Sequence, residues 1–238
     1  MGYQFRSRVR YSEIDEDGKL TLPAILNYFQ DCCTFHSEDV GLGMKKLRKI
    51  HRGWVLSSWQ IIVERYPEHG EELTVETWPY DFKGFMGMRN FILRTSQGES
   101  LCKANTLWSF MNTDSGMPVK LQPENTQGYQ LEPKLEMEYA PRKIGLLSQG
   151  EKRESFLVQK HHLDTNHHVN NSQYITMATE YLPKDFQIWQ MRAEYKMQAR
   201  LGERIIPWVS EEPKRCVVSL NQETGKPYAI VEFSKKEK

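Results

Sequence analysis

The run His161-His162-Leu163-Asp164-Thr165-Asn166-His167-His168-Val169-Asn170-Asn171 concentrates four of the seven histidines beside one carboxylate and three amides. Asp164 can act as a base or attack directly, His168 can transfer a proton near neutral pH, and Asn166 can hydrogen-bond a substrate carbonyl. The run lies between a predicted strand and a predicted helix. A helix N-terminus offers unpaired N–H groups and a positive dipole end, which suit an oxyanion formed when a carbonyl is attacked. Asn170 or Asn171 is expected to cap that helix. A bland reading stands beside each assignment: a carboxylate before a helix is commonly a cap or turn residue, and a single histidine is often only a satisfied, half-buried one. The fixed spacing of Asp164, Asn166 and His168 favours chemistry. A metal site is disfavoured because the run lacks the i, i+4 spacing of HExxH and no second ligand cluster exists, so His161, His162 and His167 are read as loop surface.

Other chemistries find little support. Cys32, Cys33, Cys102 and Cys216 include no CxxC and are read as buried free thiols. Glycine-rich phosphate loops and a GxSxG elbow are absent. A net charge of +1 gives no global field for nucleic acid or an anionic membrane. Neither a signal-peptide run nor a transmembrane-length apolar segment is present, and the cytoplasm is the expected location. With 39% hydrophobic and 26% charged residues over 238 positions, the chain can bury a substantial core.

The elements around the histidine run repeat. Ile14-Asp15-Glu16-Asp17-Gly18-Lys19-Leu20 overlays Leu163-Asp164-Thr165-Asn166-His167-His168-Val169. Each copy follows an alternating run, Phe5–Tyr11 or Ser155–Lys160, and precedes a helix. Pro23 suits the first helix start, with Ile25, Leu26, Phe29 and Cys33 at helical spacing. In the second, Tyr174, Ala178, Tyr181 and Leu182 form the apolar face and Pro183 the stop. Strands are expected at 55–65, 72–78, 87–95 and 101–111, then at 187–195, 204–209, 216–220 and 228–233. Aligning Gly70 with Gly202 implies extra residues, within His36–Trp54, between helix and strand of the first copy. The proline-bearing stretch 112–154 reads as a linker packed across the surface, leaving an N-terminal domain 1–111 and a C-terminal domain 155–238. The fold class is α+β in tandem.

Asp164-x-Asn166-x-His168-Val169-Asn170-Asn171-x-x-Tyr174 closely resembles the signature of the fatty acyl-acyl carrier protein thioesterases of plants and bacteria. Trp54-Val-Leu-Ser-Ser-Trp59, Arg65-Tyr66-Pro67 and Glu194-Tyr195-Lys196 extend the resemblance over most of the chain. It implies a tandem (double) hotdog, each half an antiparallel sheet wrapped around a long helix. It also implies hydrolysis of acyl-acyl carrier protein to free fatty acid, ending elongation, with no metal or organic cofactor. The active loop would belong to the second hotdog, and the first would shape the acyl-chain cavity. Lys19 stands where a histidine would be needed, so the first copy is read as catalytically silent. The family usually carries a glutamate at the position of Gln198. An amide cannot be a general base but can orient water, which shifts the basic role towards Asp164 or His168.

The basic run Lys45-Lys46-Leu47-Arg48-Lys49 with Arg52 is either a docking surface for an acidic carrier protein or a solvated face. Trp54, Trp59, Phe82, Phe85, Met86 and Met88 either line an acyl pocket or fill the core. A thioesterase acting on acyl-coenzyme A and a non-catalytic acyl-binding protein are the competing functions. The chain is expected to be a monomer or a homodimer.

Overall fold

A computed structural model describes residues 2–147 and 149–236 and divides the chain into two units, Met1–Ser57 with Val63–Tyr139, and Ser58–Ile62 with Ala140–Lys238. The first unit contains β1 (Tyr3–Arg8), α1 (Leu22–Asp39), α2 (Met44–Lys49), most of β2 (Arg52–Val63), β3 (Glu72–Lys83), β4 (Met86–Thr95) and β5 (Ser100–Asn112). Its strands pair antiparallel in the order β1-β3-β4-β5. Helix α1 packs on β1 and β3. Thr21 caps it by accepting from the Ala24 N–H, Pro23 sits in its first turn, and Ile25, Leu26, Phe29 and Cys33 are buried on one face. Phe29 meets Phe91 of β4 with ring centroids 5.2 Å apart. Burying each such side chain contributes about 1.5–3 kcal/mol.

The second unit contains β6 (Glu151–Lys152), β7 (Phe156–Leu157), α3 (Asn171–Thr179), β8 (Gln190–Tyr195), β9 (Arg204–Glu212), β10 (Arg215–Asn221) and β11 (Pro227–Ser234). The Ser58–Ile62 stretch of β2 pairs with β8, and the antiparallel order runs on through β11, β10, β9 and β6, with β7 also on β9. Helix α3 packs on β10 and β11. All eight longer strand expectations fall on strands, displaced by a few residues at their ends.

Two expectations are corrected. The run 155–160 yields only the two-residue β7, because Lys160–His162 closes into a 3-10 turn. Helix α3 is short, with 9 residues against 18 in α1, and ends before Tyr181 and Leu182. Those two residues continue in i→i−3 turns, Tyr181 N–H to Ala178 at 3.2 Å and Leu182 N–H to Thr179 at 3.1 Å. Pro183 explains this, since the residue before a proline is pushed out of the α region. The extra residues of the first copy thus lengthen α1 and add α2.

The stretch 112–154, expected as a linker packed across the surface, is divided between the two units. Its first part is fastened to the first unit: Trp78 Nε1 donates to the Pro133 carbonyl at 2.9 Å, and Asn90 Oδ1 accepts from Leu135 N–H and Tyr139 Oη, both at 3.0 Å. Its second part belongs to the second unit. There Gln60 Oε1 accepts from Ala140 N–H at 3.0 Å, Arg215 donates to Gly145 at 3.0 Å, and β6 joins the sheet. All four cysteines are buried and free.

Candidate active site

The two copies of the loop agree bond for bond. Each closes through an antiparallel bridge, Ile14 with Leu20 and Leu163 with Val169. The Asp15 N–H donates to the Lys19 carbonyl and the Asp164 N–H to that of His168, both at 2.8 Å. Asp15 Oδ1 accepts from Asp17 and Lys19 N–H at 3.0 and 2.9 Å. Asp164 Oδ1 accepts from Asn166 and His168 N–H at 2.8 and 3.2 Å. Outside the loop, Leu20 N–H reaches Pro67 at 2.8 Å and Val169 N–H reaches Ala199 at 2.9 Å. This aspartate-centred turn is built by local side-chain-to-backbone bonds that any Asp at that position would favour. The bland reading of Asp164 as a turn former is therefore correct for Oδ1. Among the described residues its Oδ2 accepts only from the Asn166 side-chain amide, at 3.4 Å.

What differs between the copies is what the scaffold carries. Asp17, Gly18 and Lys19 become Asn166, His167 and His168. Asp164 and His168 are half-buried and Asn166 is exposed. His168 Nδ1 is enclosed and finds no hydrogen-bond partner among the described residues. Burial lowers the His168 pKa, with Arg200 and His167 acting the same way and Asp164 and Glu203 opposing. A neutral imidazole able to accept a proton is the consequence near pH 7. Asn170 is the cap of α3, its Oδ1 accepting from Ser172 N–H at 3.0 Å, while Asn171 is the first helical residue.

Gln198 is exposed and its side chain makes no hydrogen bond among the described residues. It is placed beside the loop by its neighbour, for Ala199 gives its carbonyl to Val169 and its N–H to Tyr174 Oη at 2.9 Å. His168 bridges Arg200 on the same segment. His162 takes the place of Glu13 of the first copy, its Nδ1 accepting from Gln159 N–H at 3.0 Å as Glu13 accepts from Arg10 N–H at 2.9 Å. It is a capping residue rather than plain surface. Sequence reasoning missed Glu203 and Tyr228, which lie at this site; the Gly70–Gly202 alignment holds the signal, because it sets Glu203 opposite Glu71. Among the described residues no three His, Cys, Asp or Glu side chains are grouped to hold a metal ion.

His167 takes a left-handed φ of 61° where the first copy has Gly18 at 75°. A non-glycine residue pays about 1–2 kcal/mol there, partly offset by the larger unfolded-state freedom of glycine. His167→Gly is therefore expected to raise the unfolding free energy by roughly 0.5–1 kcal/mol, read as a higher urea midpoint with unchanged slope. A lower midpoint would show that the imidazole makes a contact worth more than the strain.

Elsewhere, Trp59 is buried core, Trp54 packs with Phe82 and Phe110 at centroid distances of 6.1 and 4.9 Å, and Phe85 is exposed. Lys45, Lys46, Arg48 and Lys49 are exposed on α2.

The acyl-ACP thioesterase N-terminal domain matches residues 2–129 and the acyl-ACP thioesterase C-terminal domain matches residues 147–233. A chloroplastic acyl-acyl-carrier-protein hydrolase from Cuphea viscosissima is 28% identical over 74% of this chain and 45% of its own length. The chain spans about half the length of the curated relatives it matches. Among solved structures, an acyl-ACP thioesterase from Bacteroides thetaiotaomicron superposes with a TM-score of 0.89, 20% identity and coverage of 97% of this chain and 96% of that one. The 12:0-ACP thioesterase from Umbellularia californica superposes with a TM-score of 0.85 and 20% identity over 100% of this chain and 99% of that one. At such identities the superpositions establish the fold, an antiparallel sheet with few helices of the hotdog type. With the two domain models together matching nearly the whole length, the chain belongs to the acyl-ACP thioesterase family.

Proposed function

We propose that the chain hydrolyses the thioester of a fatty acyl group carried on acyl carrier protein, releasing free fatty acid and ending elongation. The observation that carries this reading is the duplicated loop: one scaffold, built twice by the same bonds, holds Asp and Lys in one copy and Asp, Asn and His in the other. Only the second can move a proton near neutral pH. His168 takes a proton from water as the water oxygen attacks the acyl carbonyl carbon. The C–S bond then breaks, and the proton passes from His168 to the departing thiolate, leaving a carboxylic acid and a free thiol. Asp164 fixes the loop through Oδ1 and its charge favours the imidazolium. The exposed Asn166 amide orients the acyl carbonyl, and Gln198 orients the water.

In this reading each unit is one hotdog, giving a double hotdog. The first unit, catalytically silent, supplies the acyl-chain cavity. The family membership and the helix-on-sheet packing of α1 and of α3 support it.

Free-thiol release from acyl carrier protein loaded with short, medium and long acyl chains tests the function, with the matching acyl-coenzyme A series in parallel. Turnover on the carrier protein at a kcat/KM above that on coenzyme A is the expected result. Turnover favouring coenzyme A would make the chain an acyl-coenzyme A thioesterase. Acyl binding without turnover on either carrier would make it a binding protein.

A further inference from the structure

The same duplication singles out one more carboxylate. In the first unit Glu71 is neutralised: Arg65 Nη1 and Nη2 donate to its two oxygens at 3.0 and 2.7 Å, and Glu68 N–H adds a bond at 3.0 Å. The second unit keeps the carboxylate and the backbone bond, as Glu203 Oε2 accepts from Arg200 N–H at 2.9 Å. It discards the arginine, for Met197 occupies the position of Arg65. In its place Tyr228 Oη donates to Glu203 Oε2 at 3.1 Å, and Oε1 has no hydrogen bond among the described residues. The segment carrying Glu203 is the one that bridges His168 through Arg200 and accepts the Val169 N–H on Ala199. One unit therefore ties its glutamate into an ion pair, while the other engages it through Oε2 alone, beside the histidine loop.

We propose that Glu203, oriented by Tyr228, is a second carboxylate, besides Asp164, that supports His168 as proton acceptor, in the place that Gln198 cannot fill. It is a positioning residue acting through His168, and its role rests on the thioesterase reading above. A carboxylate near an imidazole favours the charged imidazolium and so makes the neutral ring a better base. The groups acting on His168 are Asp164 and His167 from its own loop and Arg200 and Glu203 from the segment before β9. Tyr174 of α3 is influenced by both carboxylates. Asp164 is committed to the turn through Oδ1, and Arg200 and His167 oppose the positive ring. Asp164 offsets them from within the loop, and Glu203 is the second carboxylate that does so, from the segment before β9.

The test is an NMR titration of the full chain carrying labelled histidine, with His168 assigned against His168→Ala, alongside the pH profile of kcat/KM for acyl carrier protein thioester. Glu203→Gln is expected to move the His168 midpoint to lower pH, carry the acid limb of the profile with it, and lower kcat/KM near neutrality roughly tenfold. Tyr228→Phe should move both in the same direction by less. Glu71→Gln, the equivalent change in the first unit, should move neither. An unmoved His168 midpoint in folded Glu203→Gln overturns the inference and leaves the thioesterase reading standing. A midpoint that shifts without the profile following overturns the catalytic part of it. Absence of turnover in the wild type defeats the thioesterase reading instead, and the titration alone then reports whether the two groups are coupled.

Discussion

His168→Ala is expected to lower kcat/KM for acyl carrier protein thioester by about 10²- to 10⁴-fold, the range that general acid-base groups contribute. Asp164→Asn should fall into the same range without loss of stability, because an amide oxygen keeps an acceptor for the Asn166 and His168 N–H groups now held by Oδ1. Asp164→Ala removes that acceptor as well. It should lose activity and about 1–2 kcal/mol of stability. The duplicated loop supplies the control: Asp15→Ala deletes the same pair of turn bonds in the first unit, so it should show the stability loss with activity nearly intact. Thiol-release assays and urea unfolding on the set separate the two roles of the aspartate. If Asp164→Asn keeps full activity, Asp164 is a turn residue like Asp15 and His168 works without its charge.

Glu232→Ala is expected to cost about 3 kcal/mol of folding stability. Glu232 lies on β11 at 4% exposure and joins two arginines, accepting from Arg192 Nη1 at 2.8 Å and from Arg215 Nε at 2.5 Å. Truncating one member of a buried ion-pair group leaves the partners' charge uncompensated, at about 3–5 kcal/mol when burial is complete. The partial exposure of the arginines sets the expectation at the lower end. Arg192 and Arg215 also hold the carbonyls of Lys143 and Gly145, both at 3.0 Å, so the change should loosen that crossing segment. Urea midpoints and amide exchange at 142–147 measure the two effects. The exposed pair Arg204–Glu223, at 3.3 Å, is the comparison, and Glu223→Ala should stay within about 1 kcal/mol. A Glu232→Ala loss as small as that would mean water reaches the two guanidiniums freely.

Much of the architecture is legible before folding because it rests on local patterns. β1 alternates half-buried with exposed residues, the period-2 rule by which its strand run is recognised. Pro23 and the spacing from Ile25 to Cys33 mark α1 through rules that act over a single helical turn. The aspartate-centred loop is also local. Asp15 and Asp164 each collect N–H groups two and four residues ahead, so the repeat visible in the sequence is the repeat seen in the bonds.

The sequence by itself determined the strand set, the first helix, the presence of two similar units and the placement of Asp164, Asn166 and His168 on one turn. All of these follow from side chains a few residues apart. Only the tertiary structure decided which groups from elsewhere meet that turn. The Ala199 peptide joins Val169 to Tyr174 through backbone atoms, which no side-chain pattern announces. Glu203 differs from Glu71 because an arginine is missing from the segment after β8 and a tyrosine is supplied by β11, which pairs with β8. The halves of 112–154 likewise go to whichever unit offers Asn90, Gln60 or Arg215 as partners. Contacts over such separations depend on the register of distant strands, a property of the assembled sheet rather than of any stretch of sequence.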